Sequence, residues 1–170
     1  EGATVVDVGC GAGFPSIPLA IVRPDLKITP LDSTGKKIDF VCAAASSLGL
    51  DNLTPVCARA EDFVKQHRES FDVATARAVS RLNVLSELAM PLVRVGGRFI
   101  AMKAKDGEAE LDEAKRGITT LGGSIAQVEK IVLTPISGET LERVLILIKK
   151  ASETPTKYPR AYAKITKSPL

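Results

Sequence analysis

The 170-residue chain has no tryptophan, one histidine (His67), two methionines and only 4% aromatic residues. Surfaces that bind single-stranded nucleic acid by stacking its bases carry more aromatic side chains, so a stacking platform is not expected. Cysteine is scarce as well: Cys10, Cys42 and Cys57 are odd in number and widely spaced. That argues against a disulfide framework, and a single His without any Cys-x-x-Cys leaves no metal-ligand cluster. Reduced, intracellular thiols are the simplest reading, with Cys10 in a glycine turn and Cys42 on the apolar face of a helix, both as packing residues. No apolar run approaches the ~18 residues that cross a bilayer, so no membrane association is expected. Neither a signal peptide nor a start methionine is present, and the chain is expected to begin inside a longer protein, almost directly on a strand.

Hydrophobic residues make up 45% and charged residues 25%, the composition of one globular domain with a real core. The net charge of +3 conceals a split. Glu1–Ile148 holds 17 basic and 19 acidic residues, whereas Lys149–Leu170 holds six basic and one acidic. A nearly neutral body with a basic tail suits a polyanion such as nucleic acid, although a solvated terminus has the same composition.

Short β-branched runs alternate with helical spacing. Strands are predicted over Thr4–Val8, Leu26–Leu31, Leu53–Cys57, Phe71–Ala76 and Arg98–Lys103, the last after a Gly96-Gly97 turn. Helices are predicted over Pro15–Val22, Lys36–Leu48 with Gly49 as its cap, Glu61–Gln66, Leu82–Val93 with an interruption near Pro91, and Leu111–Leu121. Ile125–Leu133 and Arg143–Lys149 follow as strands whose connection, containing Gly138, is too short for a crossover. The expected fold is α/β: a mostly parallel sheet with helices on both faces and an antiparallel C-terminal hairpin. The body is taken as residues 1–150 and the basic tail as 151–170.

The most informative segment is Val6-Asp7-Val8-Gly9-Cys10-Gly11-Ala12-Gly13-Phe14-Pro15, between the first strand and first helix. Glycines at alternate positions let backbone turn sharply against a ligand. The spacing is Gly-x-Gly-x-Gly rather than the dinucleotide Gly-x-Gly-x-x-Gly. Asp7 would repel a pyrophosphate but suits the ammonium of S-adenosylmethionine. Asp32, at the end of the second strand, can accept both ribose hydroxyls of an adenosyl group, or cap the next helix. Ala60-Glu61-Asp62 can reach an adenine edge, and equally suits the first turn of a helix. Arg77 leaves a buried strand at the crevice end of the sheet, where a cation is costly unless it meets an anion or substrate. Arg59, Arg81 and Lys103 come from the same rim. No Asn/Asp-Pro-Pro-Tyr and no Pro-Cys pair follows the fourth strand, and no general base stands out.

Together VDVGCGAGFPSIPLAI, LDSTGKK, ARAEDF, TARAV, PLVRVGG and a late KYPR resemble the bacterial glucose-inhibited-division B family. These are guanine-N7 methyltransferases of small-subunit ribosomal RNA. The resemblance covers nearly all of Val5–Lys150 and extends into the tail. It implies a class I S-adenosylmethionine-dependent (Rossmann-like) methyltransferase fold. It also implies a 16S rRNA guanine of the position-527 type, in the decoding-region hairpin, as the target. Carried over by motif, Gly9 and Phe14 match the glycine turn, Asp32 the acid of LDS, Ala60 and Glu61 the adenine-side pair, and Arg77 the fourth-strand arginine. Asp7 and Gly11 belong to the same cofactor turn, and Arg77 is the one residue expected at the reacting centre. Arg59, Arg81, Lys103, Lys157 and Arg160 are expected to meet RNA. No metal is implied, and a cytoplasmic monomer (plastid, from a plant or alga) is expected. Two departures stand out. The family's helical N-terminal segment is absent, and Tyr158-Pro159-Arg160 is followed by Ala161-Tyr162-Ala163-Lys164 rather than a Pro-Gly-Thr-Pro run.

Guanine N7 carries a lone pair and no proton at neutral pH, which accounts for the missing base. Rival readings are a nicotinamide dehydrogenase, a methyltransferase of another RNA, a protein or a small molecule, and a non-enzymatic RNA-binding module. The first would want its third glycine one residue later than Gly13. The last gives no physical reason to retain the unfavourable glycines.

Overall fold

The computed structural model describes residues 1–134, 136, 138 and 140–170. Seven strands among them form one sheet in the order β3-β2-β1-β4-β5-β7-β6. β1 (Thr4–Val8), β2 (Lys27–Asp32), β3 (Val56–Cys57), β4 (Phe71–Arg77) and β5 (Val93–Ala104) run parallel, while β7 (Leu141–Lys150) is antiparallel to both β5 and β6 (Gly123–Leu133). The helices are α1 (Ser16–Val22), α2 (Gly35–Leu48), α3 (Ala60–His67), α4 (Leu82–Ala89), α5 (Gly107–Thr120) and α6 (Tyr162–Lys167). The expected mixed sheet, with its C-terminal hairpin, is therefore present. Of the connection expected around Gly138, Pro135, Ser137 and Glu139 lie outside the described residues.

β1 and β4 are buried on both faces, which is why they read as apolar runs rather than alternating ones. The main core packs Val6, Ala74, Phe99 and Ile146 of the sheet against Leu85 of α4 and Ile118 of α5. A smaller core under α1 holds Val5, Ile17, Ala20 and Ile28.

Several boundaries differ from expectation, each for a local reason. β5 begins at Val93 and runs through Gly96-Gly97, because the pair forms a bulge opposite β4 rather than a turn. A Cβ at Gly97 would lie 2.5 Å from the Asp72 carbonyl oxygen, so only glycine admits that approach. β3 shrinks to two residues because Pro55 removes a ladder donor; Leu53 keeps only an isolated bridge to Ile28. The interruption expected near Pro91 is present, by contrast: α4 stops at Ala89 and passes into a 3₁₀ turn, Met90–Leu92. α2 buries a narrow stripe of Ile38, Val41 and Ala45, leaving Cys42 exposed rather than packed.

The largest difference is the tail, which folds back onto the body and forms α6. Thr154, Tyr158 and Ile165 are buried, and Arg68 donates to the carbonyl oxygens of Thr154 and Tyr158, each at 2.9 Å. Lys150 is also buried; its Nζ donates to the Met90 carbonyl at 2.8 Å and lies 3.0 Å from Glu69.

Candidate active site

The carboxyl ends of β1, β2 and β3 open into a cleft of about 340 Å³. Gly9, Asp32, Thr34, Lys37, Ala60 and Glu61 are among its walls. Gly9 adopts φ +73°, and a Cβ there would lie 2.5 Å from Val79 Cγ2, so the turn after β1 packs directly on the loop after β4. The two loops close the cleft floor.

Asp32 sits at the mouth of β2. Its carboxylate accepts N–H bonds from Thr34 (2.9 Å) and Gly11 (3.1 Å), with Lys37 Nζ at 3.4 Å. Burial alone would raise its pKa, but the Thr34 and Gly11 donors together with the Lys37 charge outweigh it and hold the carboxyl below its ordinary value. The helix N-cap is Thr34, not Asp32. A carboxylate has about four lone-pair sites, so acceptor capacity remains for ribose hydroxyls.

Asp7 lies behind the turn, fully buried. Ser16 Oγ donates to Oδ2 at 2.5 Å, and among the described residues Oδ1 has no partner. Burial, the largest influence, pushes its pKa up to about 6 against the lowering by Ser16 and Arg77. The same seclusion, with Asp7 and Asp32 nearby, pushes the Cys10 thiol up to about 12.

Arg77, Ala78 and Val79 line a second, larger cavity of about 680 Å³ between the ends of β4, β5 and β7. Ala78 and Val79 belong to both cavities, so a single loop separates them. Ala78 takes φ +54°, a left-handed conformation uncommon for alanine, which turns the chain between the two. Arg77 is exposed, and its Cζ lies 5.5 Å from the centre of the exposed Phe14 ring.

The cleft thus gathers Gly9, Asp32, Ala60, Glu61 and Arg59. Asp7, Gly11 and Phe14 stand around the glycine turn without lining it, and Arg77 faces the neighbouring cavity. Two of the expected RNA cations are engaged internally. Lys103 is buried, 2.7 Å from Glu110, and donates to the Ser80 carbonyl at 2.7 Å. Glu110 in turn accepts the Leu82 N–H at 2.7 Å, so the pair braces the loop between β4 and α4. Arg160 is bound to buried Glu87. Arg81 pairs with Glu113 at the surface, Arg59 lies 3.8 Å from Glu61, and Lys157 stands over the Tyr158 ring. Sequence reasoning missed Val79, Lys37 and Tyr162 as cleft residues. For Val79 the only available signal was its place two residues after Arg77.

The geometry fits an S-adenosylmethionine site: an orphaned buried carboxylate oxygen at Asp7, glycine backbone against the cleft, and an acceptor at the end of β2. Sheet order and site together define a class I methyltransferase. Solved structures with the same fold include an S-adenosylmethionine-dependent methyltransferase from Methanosarcina mazei (TM-score 0.69, 16% identity, 90% of this chain and 94% of that one). Another is a 16S rRNA (adenine(1408)-N(1))-methyltransferase from Catenulisporales acidiphilia (TM-score 0.71, 13% identity, 90% and 87%). Residues 1–135 match the family described as GidB, rRNA small subunit methyltransferase G, and the chain belongs to that family. A Ribosomal RNA small subunit methyltransferase G from Staphylococcus carnosus is 51% identical over 98% of this chain and 70% of its own length. One from Deinococcus radiodurans is 50% identical over 97% and 65%.

Proposed function

We propose that this protein methylates N7 of a guanine in 16S ribosomal RNA, of the position-527 type in the decoding-region hairpin, with S-adenosylmethionine as donor. Family membership supports the substrate class. The structural observation that carries the reading is the pair of cavities meeting at Ala78 and Val79, one shaped for a cofactor and one large enough for a base.

The cofactor supplies an electrophilic methyl group on sulfur. Asp32 would hold its ribose, Glu61 and the Ala60 backbone would stand at its adenine, and Asp7, secluded behind the glycine turn, would favour the ammonium end through the charge of its buried carboxylate rather than by contact. Guanine N7 needs no deprotonation, so the chain has to align two reactants and exclude water rather than move a proton. Holding reactants in a near-attack arrangement can lower a barrier by roughly 7–11 kcal/mol in favourable cases. The product base is cationic, which places Arg77 on a phosphate or on the cofactor carboxylate rather than on the base. The exposed cations Arg59, Arg81 and Lys157 steer RNA toward the rim. The reading includes a monomer acting in the cytoplasm.

Methyl transfer from labelled cofactor to deproteinised rRNA and to whole small subunits, with mapping of the modified nucleotide, tests it. Label on a guanine N7 in 16S rRNA is the expected outcome. Label on another atom or RNA, or none on either substrate, overturns the reading.

A further inference from the structure

Tyr162 opens α6 and lines the cofactor cleft together with Leu88 of α4. Its side chain is 40% exposed, yet its place is fixed from both sides. Two residues earlier, Arg160 is held by three side-chain contacts of 2.6–3.2 Å and one backbone bond of 2.8 Å to Glu87, which is itself fully buried. Three residues later, Ile165 is fully buried in the main core. The ring is thereby held at the cleft wall rather than left free over the surface.

The rest of the cleft defines what such a ring could meet. Asp32, Thr34 and Lys37 form a polar end suited to a ribose. Ala58, Ala60 and Leu88 are apolar but not flat, and among the described residues no other aromatic side chain lines the cleft. A purine base in this cleft would have one aromatic surface available to it. We infer that Tyr162 is a cofactor-binding residue that packs on the adenine ring, carried to the cleft by the C-terminal segment, with Arg160–Glu87 as its positioning pair. This rests on the S-adenosylmethionine reading above and adds a residue to that site from outside the β1–β4 motifs.

The chain has no tryptophan and only two tyrosines, Tyr158 and Tyr162, so its intrinsic emission reports on the tail directly. Titration with S-adenosylhomocysteine should change tyrosine emission in the unaltered protein. The change should persist in Tyr158→Phe and vanish in Tyr162→Phe. By calorimetry, Tyr162→Ala should weaken S-adenosylmethionine and free adenosine by the same factor, about ten-fold, and Tyr162→Phe by no more than about two-fold. Wild-type affinity in a folded Tyr162→Ala variant, or an emission change that survives Tyr162→Phe, overturns the inference. Failure of the unaltered protein to bind S-adenosylmethionine at all would instead overturn the proposed function.

Discussion

Arg160 closes on Glu87 across 73 residues of chain, its Nη2 2.6 Å from Oε2 and its own backbone N–H 2.8 Å from Oε1. The two partners are unequally placed: Glu87 is fully buried, whereas the Arg160 side chain keeps 17% of its surface. Their loss should therefore be unequal too. Arg160→Met strands a carboxylate in the core and should cost about 3–5 kcal/mol. Glu87→Gln frees a guanidinium that can turn toward water, and should cost less. The double variant should recover part of the larger loss. Urea unfolding of the three proteins checks the order; equal losses would mean that the pair is no more than a surface contact.

Asp7 gives a pH dependence of defined sign. Its folded pKa of about 6 lies above the ordinary 3.8, so between those values the native state holds a proton that the unfolded chain has released. Stability falls as pH rises through that window, and above it the ionised carboxylate costs up to about 3 kcal/mol. Asp7→Asn should thus raise the melting temperature at pH 7.5 and give little gain near pH 4. Its affinity for S-adenosylmethionine should drop, and the affinity of the unaltered protein should decline below pH 6. A variant stabilised equally at both pH values would show that the charge of Asp7 is not the cause.

Asp32→Ala should weaken cofactor binding by roughly 1–3 kcal/mol, the loss of a charge-assisted acceptor. The Gly11 and Thr34 N–H groups also lose their partner, so some stability goes with it. Calorimetry decides between roles: unchanged affinity with lower stability would make Asp32 a brace for the turn and nothing more.

The three thiols should separate cleanly. Cys42 and Cys57 are exposed, while Cys10 is buried with its pKa pushed up to about 12. Iodoacetamide at pH 8 should modify the first two in the native protein and Cys10 only after denaturation, read by peptide mass. Native labelling of Cys10 would contradict the burial of the glycine turn.

RNA affinity should fall with salt, but less steeply than the tail's composition suggests. Of the six cations in Lys149–Leu170, Lys150 and Arg160 are bound to Glu69 and Glu87. Replacing Lys157, Lys164 and Lys167 by Gln should make the log–log salt slope shallower by at most about 2, since each single-strand phosphate contributes about 0.7. An unchanged slope would move RNA contact wholly to the sheet rim.

The parallel half of the fold was legible because its signals are local. β-branched runs, helical spacing and the glycine turn each lie within a dozen residues, and Asp32 follows from where a second strand must end. Longer connections were not. Tyr162–Lys167 has one buried apolar residue, Ile165, in six, too few to show a period. Lys103 looks like any strand-end cation until α5 brings Glu110 against it. Charge counts cannot distinguish a cation offered to RNA from one used up inside the molecule, and only the folded chain separates Arg59 from Arg160.

The position of β7 between β5 and β6 has a consequence for synthesis. A ribosome releases the chain N-terminal end first. Among the described residues β6 pairs with β7 alone, so it must wait, unpartnered, until residues 141–150 have emerged. Arg160 and Tyr162 come later still, and with them the last wall of the cleft. The cleft is thus completed only once residue 162 has left the ribosome, well after the glycine turn and the end of β2 that form its opposite wall.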